Sequence, residues 1–159
     1  MADFDWRISV AEVERDAPFS AFEGVDRCIV LLSGAGMCLK SAGGEVDHLL
    51  DELCAPFFFP GDVPLQATLL GGPCSDFNVM TRRGAWRSDV AVHVAAFELA
   101  DADVCVLFCV AGEWQVQGMP QAMASMEGVV WRAAEDHLHI YPTRAGRLLA
   151  IRLCHDRPA

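Results

Sequence analysis

The fold class is decided by the stretch Arg27-Cys-Ile-Val-Leu-Leu32 and the turn that follows it, Ser33-Gly-Ala-Gly36. An almost wholly apolar run of this length is typical of a strand that is buried on both faces. The two glycines indicate a tight turn into a second short strand, Met37-Cys-Leu39. A strand, a glycine turn and a second strand return over 104–116. This spacing of about 75 to 80 residues predicts two similar halves.

Further segments of the same kind flank both copies of this pattern. Each is short, rich in Val, Leu, Ile and Phe, and bounded by Gly, Pro or Asp, which is typical of strands and tight turns. The predicted strands are 6–10, 57–59, 65–70, 76–81, 129–131, 137–141 and 148–153. Residues 48–53 could form one helical turn or a loop. Two such sets of strands predict an all-β sandwich, jelly roll or small barrel.

The composition predicts one soluble, cytoplasmic unit with a substantial core. The chain has 159 residues, of which 53% are hydrophobic and 21% are charged, and this is too apolar for a disordered chain. The net charge of -10 would repel a polyanion, so we expect no nucleic-acid partner. No apolar run approaches the roughly 18 residues that span a bilayer, so we expect no membrane association. The acidic start at Met1–Trp6 is unlike a secretory signal.

One charged side chain stands at the beginning of the most apolar strand. Arg27 shares a face with the aliphatic residues of that strand, and a buried guanidinium needs an anion or several acceptors. It can hold a carboxylate through two parallel hydrogen bonds. We therefore predict that Arg27 binds a small anionic metabolite. The alternatives are an internal salt bridge to Asp26, Asp62 or Asp76, or an arginine in solvent at the strand end.

A second polar group lies on one face of the strand predicted over 76–81. Asn78 and Arg82 share that face with Asp76, and polar side chains inside a small barrel are costly unless they are paired or hydrated. They are predicted either to line a polar pocket or to form the solvent face. The apolar walls of such a pocket are predicted to come from Trp6, Phe57, Phe59 and Met80, with core packing alone as the alternative.

Three blocks of the first half resemble the HutD/Ves family of the cupin superfamily. They are Pro18-Phe-Ser-Ala-Phe22 with Gly24-Val-Asp-Arg27, Pro56-Phe-Phe-Phe-Pro-Gly-Asp62, and Gly72-Pro73 leading into Asp76-Phe-Asn-Val-Met-Thr-Arg82. The blocks keep their order and approximate spacing over residues 6–83, whereas 104–153 matches by strand pattern alone. The family usually begins with an extra segment that contains a Trp and an Asn-Gly-Gly-Gly-like turn. We expect that segment to be missing before Asp5.

The resemblance implies a cupin-like double-stranded β-helix, or jelly-roll barrel, with two pseudo-repeated halves (a bicupin) divided as 1–90 and 91–159. It also implies that Arg27 is the pocket arginine and that the ligand is N-formylglutamate- or urocanate-like. The implied role is regulatory, in histidine utilisation or in a stress response. The alternative is a cupin-type enzyme, a hydrolase or isomerase acting on a small acid. Barrels of this type often form homodimers, which we also expect here.

The residues do not fit the metal centre that some cupins carry. Metal-dependent cupins place His-X-His on one strand, a glutamate soon after it and a third histidine on a later strand. The segments 57–63 and 74–82 contain no histidine, and no glutamate follows His137-Leu-His139 before Arg144. We therefore predict no metal and no cofactor, with both histidines facing outwards. The seven cysteines form no CxxC pair and are expected to be core residues.

Overall fold

The computed structural model describes residues 3–134 and 137–156. These residues form β-strands, turns and loops and contain no helix. The prediction of an all-β protein is therefore confirmed. Over the same residues there is consequently no helix of the length and hydrophobicity needed to cross a membrane.

Fourteen strands make up the described part of the chain. They are β1 (Trp6–Val13), β2 (Ala17–Phe19), β3 (Val25–Ser33), β4 (Met37–Ser41), β5 (Asp47–Leu50), β6 (Pro56–Pro60), β7 (Leu65–Leu69), β8 (Cys74–Arg82), β9 (Trp86–His93), β10 (Phe97–Leu99), β11 (Ala102–Val116), β12 (Met123–Ala124), β13 (Gly128–Ala134) and β14 (Leu138–His155).

The chain divides into two compact units. The first comprises the residues up to Arg87 together with Asp156, and the second comprises Ser88–His155. The first unit holds two four-stranded sheets, ordered β1-β8-β3-β6 and β2-β7-β4-β5, which we call the first and second sheets. The predicted equivalence of two halves, with a boundary after residue 90, stays a prediction.

The core of the first unit is formed by both of its sheets. The first sheet contributes Ile29, Leu31 and Phe59, and the second contributes Met37, Leu39, Leu50, Leu65 and Ala67. On β3 every residue from Arg27 to Leu32 is buried, as expected for a strand covered on both faces. Since neighbouring residues of a strand point to opposite faces, Arg27 lies on the same face as the core residues Ile29 and Leu31.

For 48–53 the predicted helical turn is wrong, and the predicted loop is confirmed only for Asp51 and Glu52, because 48–50 lie in a strand. Residues Asp47–Leu50 form β5, which pairs with β4 so that Met37 stands opposite Leu50 and Lys40 stands opposite Asp47. Leu50 is buried whereas Leu49 is exposed, which is the alternation of an edge strand with one face on the core. Among the strands that the structure describes, β4 provides the ladder that keeps this segment extended.

The second unit is a six-stranded sheet built around two long strands. β11 and β14 pair antiparallel over 104–116 and 140–153, with irregular register between Cys109 and Trp114. The glycine turn predicted near residue 112 is therefore wrong, because the strand bends there and continues. Gly112 has a φ of +84°, and a Cβ at the facing Gly146 would overlap the carbonyl of Ala111. The two glycines let the strands bend together without separating.

The turns before and after β4 give a direct test of glycine's role in this fold. Gly36 lies between β3 and β4, and Gly44 lies between β4 and β5. Gly36 has a φ of +92°, and a Cβ there would overlap the carbonyl of Leu50. Gly44 has a φ of +80° with no neighbouring atom within 4 Å. We expect Gly44→Ala to cost about 1–2 kcal/mol from its left-handed backbone. Gly36→Ala should cost roughly 2 kcal/mol more because the β5 backbone must move. Urea denaturation of both variants measures this, and equal losses would contradict it.

Candidate functional site

A cavity of about 520 Å³ opens in the first unit, lined by residues of both its sheets and of the segment around β2. Among its lining residues are three of the predicted site residues, Arg27, Asn78 and Met80. The loop that follows β2 adds Ser20 and Phe22. The cavity therefore combines an apolar wall with a few converging polar groups, as small-molecule sites usually do.

The pairing of the first sheet explains why these side chains meet. Met80 on β8 stands opposite Arg7 on β1 and opposite Arg27 on β3, and Arg27 in turn stands opposite Phe59 on β6. Residues that oppose one another across a sheet share a face. One row across four strands therefore carries two arginines and two apolar side chains. Asn78 lies two residues from Met80 on the same face.

The guanidinium of Arg27 is held inside the apolar wall. The residue is 5% exposed. Its Nη1 donates to the carbonyl oxygen of Ser20 at 3.0 Å, and its Nη2 donates to Oδ1 of Asn78 at 2.8 Å. Its Nε is buried and has no hydrogen-bond partner among the described residues. Arg27 is thus neither free in water nor fully satisfied by the protein.

Three phenylalanine rings surround this cation. The Cζ atom of Arg27 lies 5.0 Å from the ring centroid of Phe19, 5.5 Å from that of Phe22 and 5.1 Å from that of Phe59. Each distance is within the range of a cation–π contact. The rings attract the charged guanidinium and help to bury its faces. Only its edge is left to bind polar groups.

An acid lies behind Arg27, separated from it by an amide. Because Oδ1 of Asn78 accepts from Arg27, its Nδ2 is free to donate, and it donates to Oδ1 of Asp76. Asp76 is fully buried, and its Oδ2 has no partner among the described residues. The buried polar set is therefore a chain from Arg27 through Asn78 to Asp76.

Burial shifts the pKa of both charged ends of this chain. It raises the pKa of Asp76 to about 6, against the lowering effects of the Asn78 hydrogen bond and of Arg27. It lowers the pKa of Arg27 to about 10, with Asp76 raising it and Arg7 lowering it. At neutral pH Arg27 is therefore charged. The acid Asp76 is linked to it through the neutral amide of Asn78.

Two of the predicted site residues lie away from the cavity. Nη1 of Arg82 forms an ion pair with Asp5 at 3.2 Å, and its Nη2 donates to the carbonyl oxygen of Phe4 at 3.1 Å. Trp6 stands opposite Thr81 and points to the face opposite Arg7. The structure therefore brings Arg27, Asn78, Met80 and Phe59 together, and it does not bring Arg82 or Trp6 to them.

Several residues near Arg27 were missed by reasoning from the sequence. Phe19, Ser20 and Phe22 lie in a short strand and a loop that show no periodic pattern. The sequence marked them only as members of the block Pro18–Phe22, which is one of the three blocks that carry the family resemblance. Arg7 was missed because the alternation of β1 favoured the face of Trp6 as the inner one, whereas the cavity lies on the other face.

The histidines of the second unit do not form a comparable site. His137 is exposed and pairs with Glu98 at 3.6 Å, and His139 is exposed as well. His93 stacks on Phe97 with ring centroids 3.5 Å apart, beside a cavity of about 190 Å³. Within residues 3–134 and 137–156, no three His, Cys, Asp or Glu side chains are grouped so as to hold a metal ion.

Comparison with known proteins gives the family. The model of the HutD family matches residues 1–150. The chain belongs to the HutD family. One relative of this chain is Protein Ves of Citrobacter koseri, which is 33% identical over 139 residues, covering 87% of this chain and 71% of that protein. The resemblance to HutD and Ves predicted from the three blocks is thereby confirmed.

Solved structures agree with this assignment. HutD from Pseudomonas fluorescens SBW25, solved in a formate condition, superposes with a TM-score of 0.83 at 29% identity, covering 98% of this chain and 81% of that one. A cupin 2 conserved barrel domain protein from Leptotrichia buccalis gives a TM-score of 0.57 at 11% identity, covering 96% and 85%. The second likeness concerns the fold alone, and it confirms the predicted cupin-like architecture of this HutD-family chain.

The pKa of Asp76 generates a prediction for stability. Asp76 ionises near pH 3.8 when unfolded and near pH 6 when folded, so the folded protein holds the extra proton between these values. The stability that Asp76 contributes is therefore present at low pH and is lost as the pH rises through 6. We expect wild type to lose up to about 3 kcal/mol between pH 4 and 7.5 relative to Asp76→Asn. Parallel pH profiles of the free energy of unfolding would contradict this.

An acid with the opposite shift provides the control. The pKa of Asp62 is lowered, chiefly by its hydrogen bond from Arg83. Its contribution to stability is therefore present above its unfolded pKa and is lost as the pH falls. Relative to Asp62→Asn, wild type should gain stability as the pH rises from acid, the reverse of the Asp76 comparison. The same urea-denaturation series measures both differences.

Proposed function

We propose that this HutD-family chain binds a small carboxylate metabolite at Arg27, without a metal. The single observation that carries the proposal is the state of this guanidinium. It is 5% exposed, lines a cavity of about 520 Å³ and keeps a buried Nε without a partner among the described residues. A buried cation with unused donors favours an anion as the missing partner.

The shape of the site favours a carboxylate among small anions. The rings of Phe19, Phe22 and Phe59 cover the guanidinium, so a ligand has to approach along its edge. A planar carboxylate can accept two parallel hydrogen bonds there, which is the arrangement that distinguishes arginine from lysine. The cavity volume lies within the roughly 300–1,000 Å³ typical of small-ligand sites. An acid the size of N-formylglutamate or urocanate suits this space.

The local charge supports an anionic ligand even though the chain is acidic. Arg7 and Arg15 line the same cavity as Arg27, and Arg7 is close enough to lower the pKa of Arg27. The exposed acids Glu12 and Glu14 line the cavity too, so three arginines against two acids leave its lining with one excess positive charge. Such a local excess attracts a small anion whatever the net charge of the protein. Long polyanions would still meet the acidic remainder of the surface, so the site favours a small ligand.

The wider role that we propose is regulatory. Membership of the HutD family supports a part in histidine utilisation or in a stress response, with the bound metabolite as the signal. We further propose that the protein acts in the cytoplasm with this small acid as its partner, and that a homodimer is its assembly. A hydrolase or isomerase acting on the same acid is the alternative, and nuclear magnetic resonance of the ligand after incubation would reveal it as a changed spectrum.

Thermal unfolding with added acid tests the binding proposal. N-formyl-L-glutamate or urocanate at one hundred times its Kd should stabilise the protein by about 2.7 kcal/mol, or roughly 5–10 °C for a domain of this size. Arg27→Gln should abolish the shift, because glutamine offers neither the charge nor the fork of donors. Calorimetry should show a matching loss of heat of binding.

Two matched variants make this test specific. Arg82→Gln removes an arginine that the structure places at Asp5, away from the cavity, and should keep the full shift. Arg27→Gln with Asp76→Asn removes the buried acid as well as the cation, so that loss of binding is not confused with loss of folding. An unchanged shift in the double variant, or no shift with any tested acid in wild type, would contradict the proposal.

A further inference from the structure

We propose that Asp76 takes up a proton from solvent when a carboxylate binds Arg27. This inference rests on the proposed function and adds a residue that the ligand does not reach. Asp76 lies behind Asn78 in the buried chain of contacts, so its part is to balance charge. Binding of the acid would then be coupled to the pH around the protein.

The charge of the buried set is the first argument. Arg27 is 5% exposed, Asn78 is 3% exposed and Asp76 is fully buried. One cation and one anion make this set neutral before a ligand arrives. A bound carboxylate leaves it with one excess negative charge, and an uncompensated charge in a low-dielectric site costs several kcal/mol. Protonation of Asp76 makes this set and the bound carboxylate neutral together, and it requires no movement of Arg27, Asn78 or Asp76.

The hydrogen bonds of Asp76 are the second argument. Its Oδ1 accepts from Nδ2 of Asn78, while its Oδ2 is buried without a partner among the described residues. A proton can therefore settle on Oδ2 while the contact through Oδ1 is kept. Asn78 holds its orientation throughout, since its Oδ1 still accepts from Arg27. Asp76 has a pKa of about 6, so it is ionised at neutral pH and needs only a modest further rise of its pKa to take up a proton.

The other titratable and charged groups described near Asp76 differ from it in charge or in exposure. Directly opposite it across the sheet stand Ala11 and Leu31, which do not titrate. Among the described residues, the cation Arg27 acts on Asp76, and the cation Arg7 acts on Arg27. Cys74 on the same strand has its pKa raised by burial and by Asp76, so its thiol stays neutral at pH 6–8. The remaining charged residues that line the cavity are Glu12, Glu14 and Arg15, all exposed. The second sheet adds the apolar Phe19, Leu65 and Ala67 to this region.

Calorimetry in two buffers tests the inference. Titration of wild type with N-formyl-L-glutamate at pH 7.5, in phosphate and in Tris, separates the heat of binding from the heat of proton exchange. We expect uptake approaching one proton per ligand, and a Kd that weakens by up to about tenfold per pH unit above pH 6.5. The carboxyl groups of the ligand titrate well below this range, so the proton must settle on the protein.

Two variants identify the residue that takes the proton. Asp76→Asn should bind the acid with almost no proton uptake and with a Kd that is constant between pH 6.5 and 8. Asp62→Asn removes an exposed acid that pairs with Arg83 and should keep the uptake of wild type. If Asp76→Asn does not fold, the ¹³C shift of the Asp76 carboxyl in wild type replaces it. That signal should move to its protonated position when the acid is added at pH 7.

The outcomes separate this inference from the proposed function. Binding to wild type without proton uptake, unchanged uptake in Asp76→Asn, or an Asp76 carboxyl signal that ignores the ligand would each overturn the inference and leave the binding proposal standing. A wild-type protein that binds no small carboxylate would overturn both. Binding with uptake that disappears in Asp76→Asn and persists in Asp62→Asn would support both.

Discussion

The burial of one guanidinium in an apolar wall is the constraint on which the rest of this site depends. Arg27 is the third residue of β3, and the five residues that follow it are all buried, so a guanidinium without partners would be costly there. The protein supplies a carbonyl oxygen from Ser20, an amide oxygen from Asn78 and three aromatic rings. These groups hold the cation in position and, over the part of the chain that the structure describes, leave its Nε without a hydrogen-bond partner. Each of them interacts with a charged arginine and would lose that interaction with a neutral side chain.

The fold delivers these partners from distant parts of the sequence. Asn78 is 51 residues from Arg27 along the chain, and the antiparallel pairing of β3 with β8 brings them to one face. Gly61 lies beside the stem of Arg27, where an added Cβ would come within 3.2 Å of its Cγ and Cδ and 2.7 Å of the carbonyl of Val25. Because Gly61 has no side chain, the aliphatic part of Arg27 can lie against the end of β6.

Sequence patterns predicted what depends on local periodicity. The strands around Arg27 and Asn78 were predictable because apolar runs and glycine turns mark them, and the alternation placed Asp76, Asn78 and Met80 on one face. Arg82 shares that alternation but lies at the strand end, where Asp5 provides an ion pair that no local pattern indicates. Residues 48–50 were missed because an edge strand depends on the partner that it pairs with. Gly34 and Gly36 lie in the turn from β3 in the first sheet to β4 in the second, whereas Gly112 lies within the continuous strand β11. That difference depends on Gly146 across the ladder.

An amide between the cation and the acid has a consequence that a direct ion pair would not have. If a carboxylate of the protein were in direct contact with Arg27, it would accept the remaining hydrogen bonds and neutralise the positive charge that faces the cavity. A ligand would then have to break that ion pair before it could bind. Asn78 lies between Asp76 and Arg27. From that position Asp76 still raises the pKa of Arg27 and so lowers the cost of burying the positive charge. The guanidinium therefore stays stable in the absence of ligand while its edge remains attractive to an anion. This balance needs both Arg27 and Asp76, which lie at the two ends of the buried hydrogen-bonded set. A protein that lost either residue alone would hold a buried charge without its counterpart.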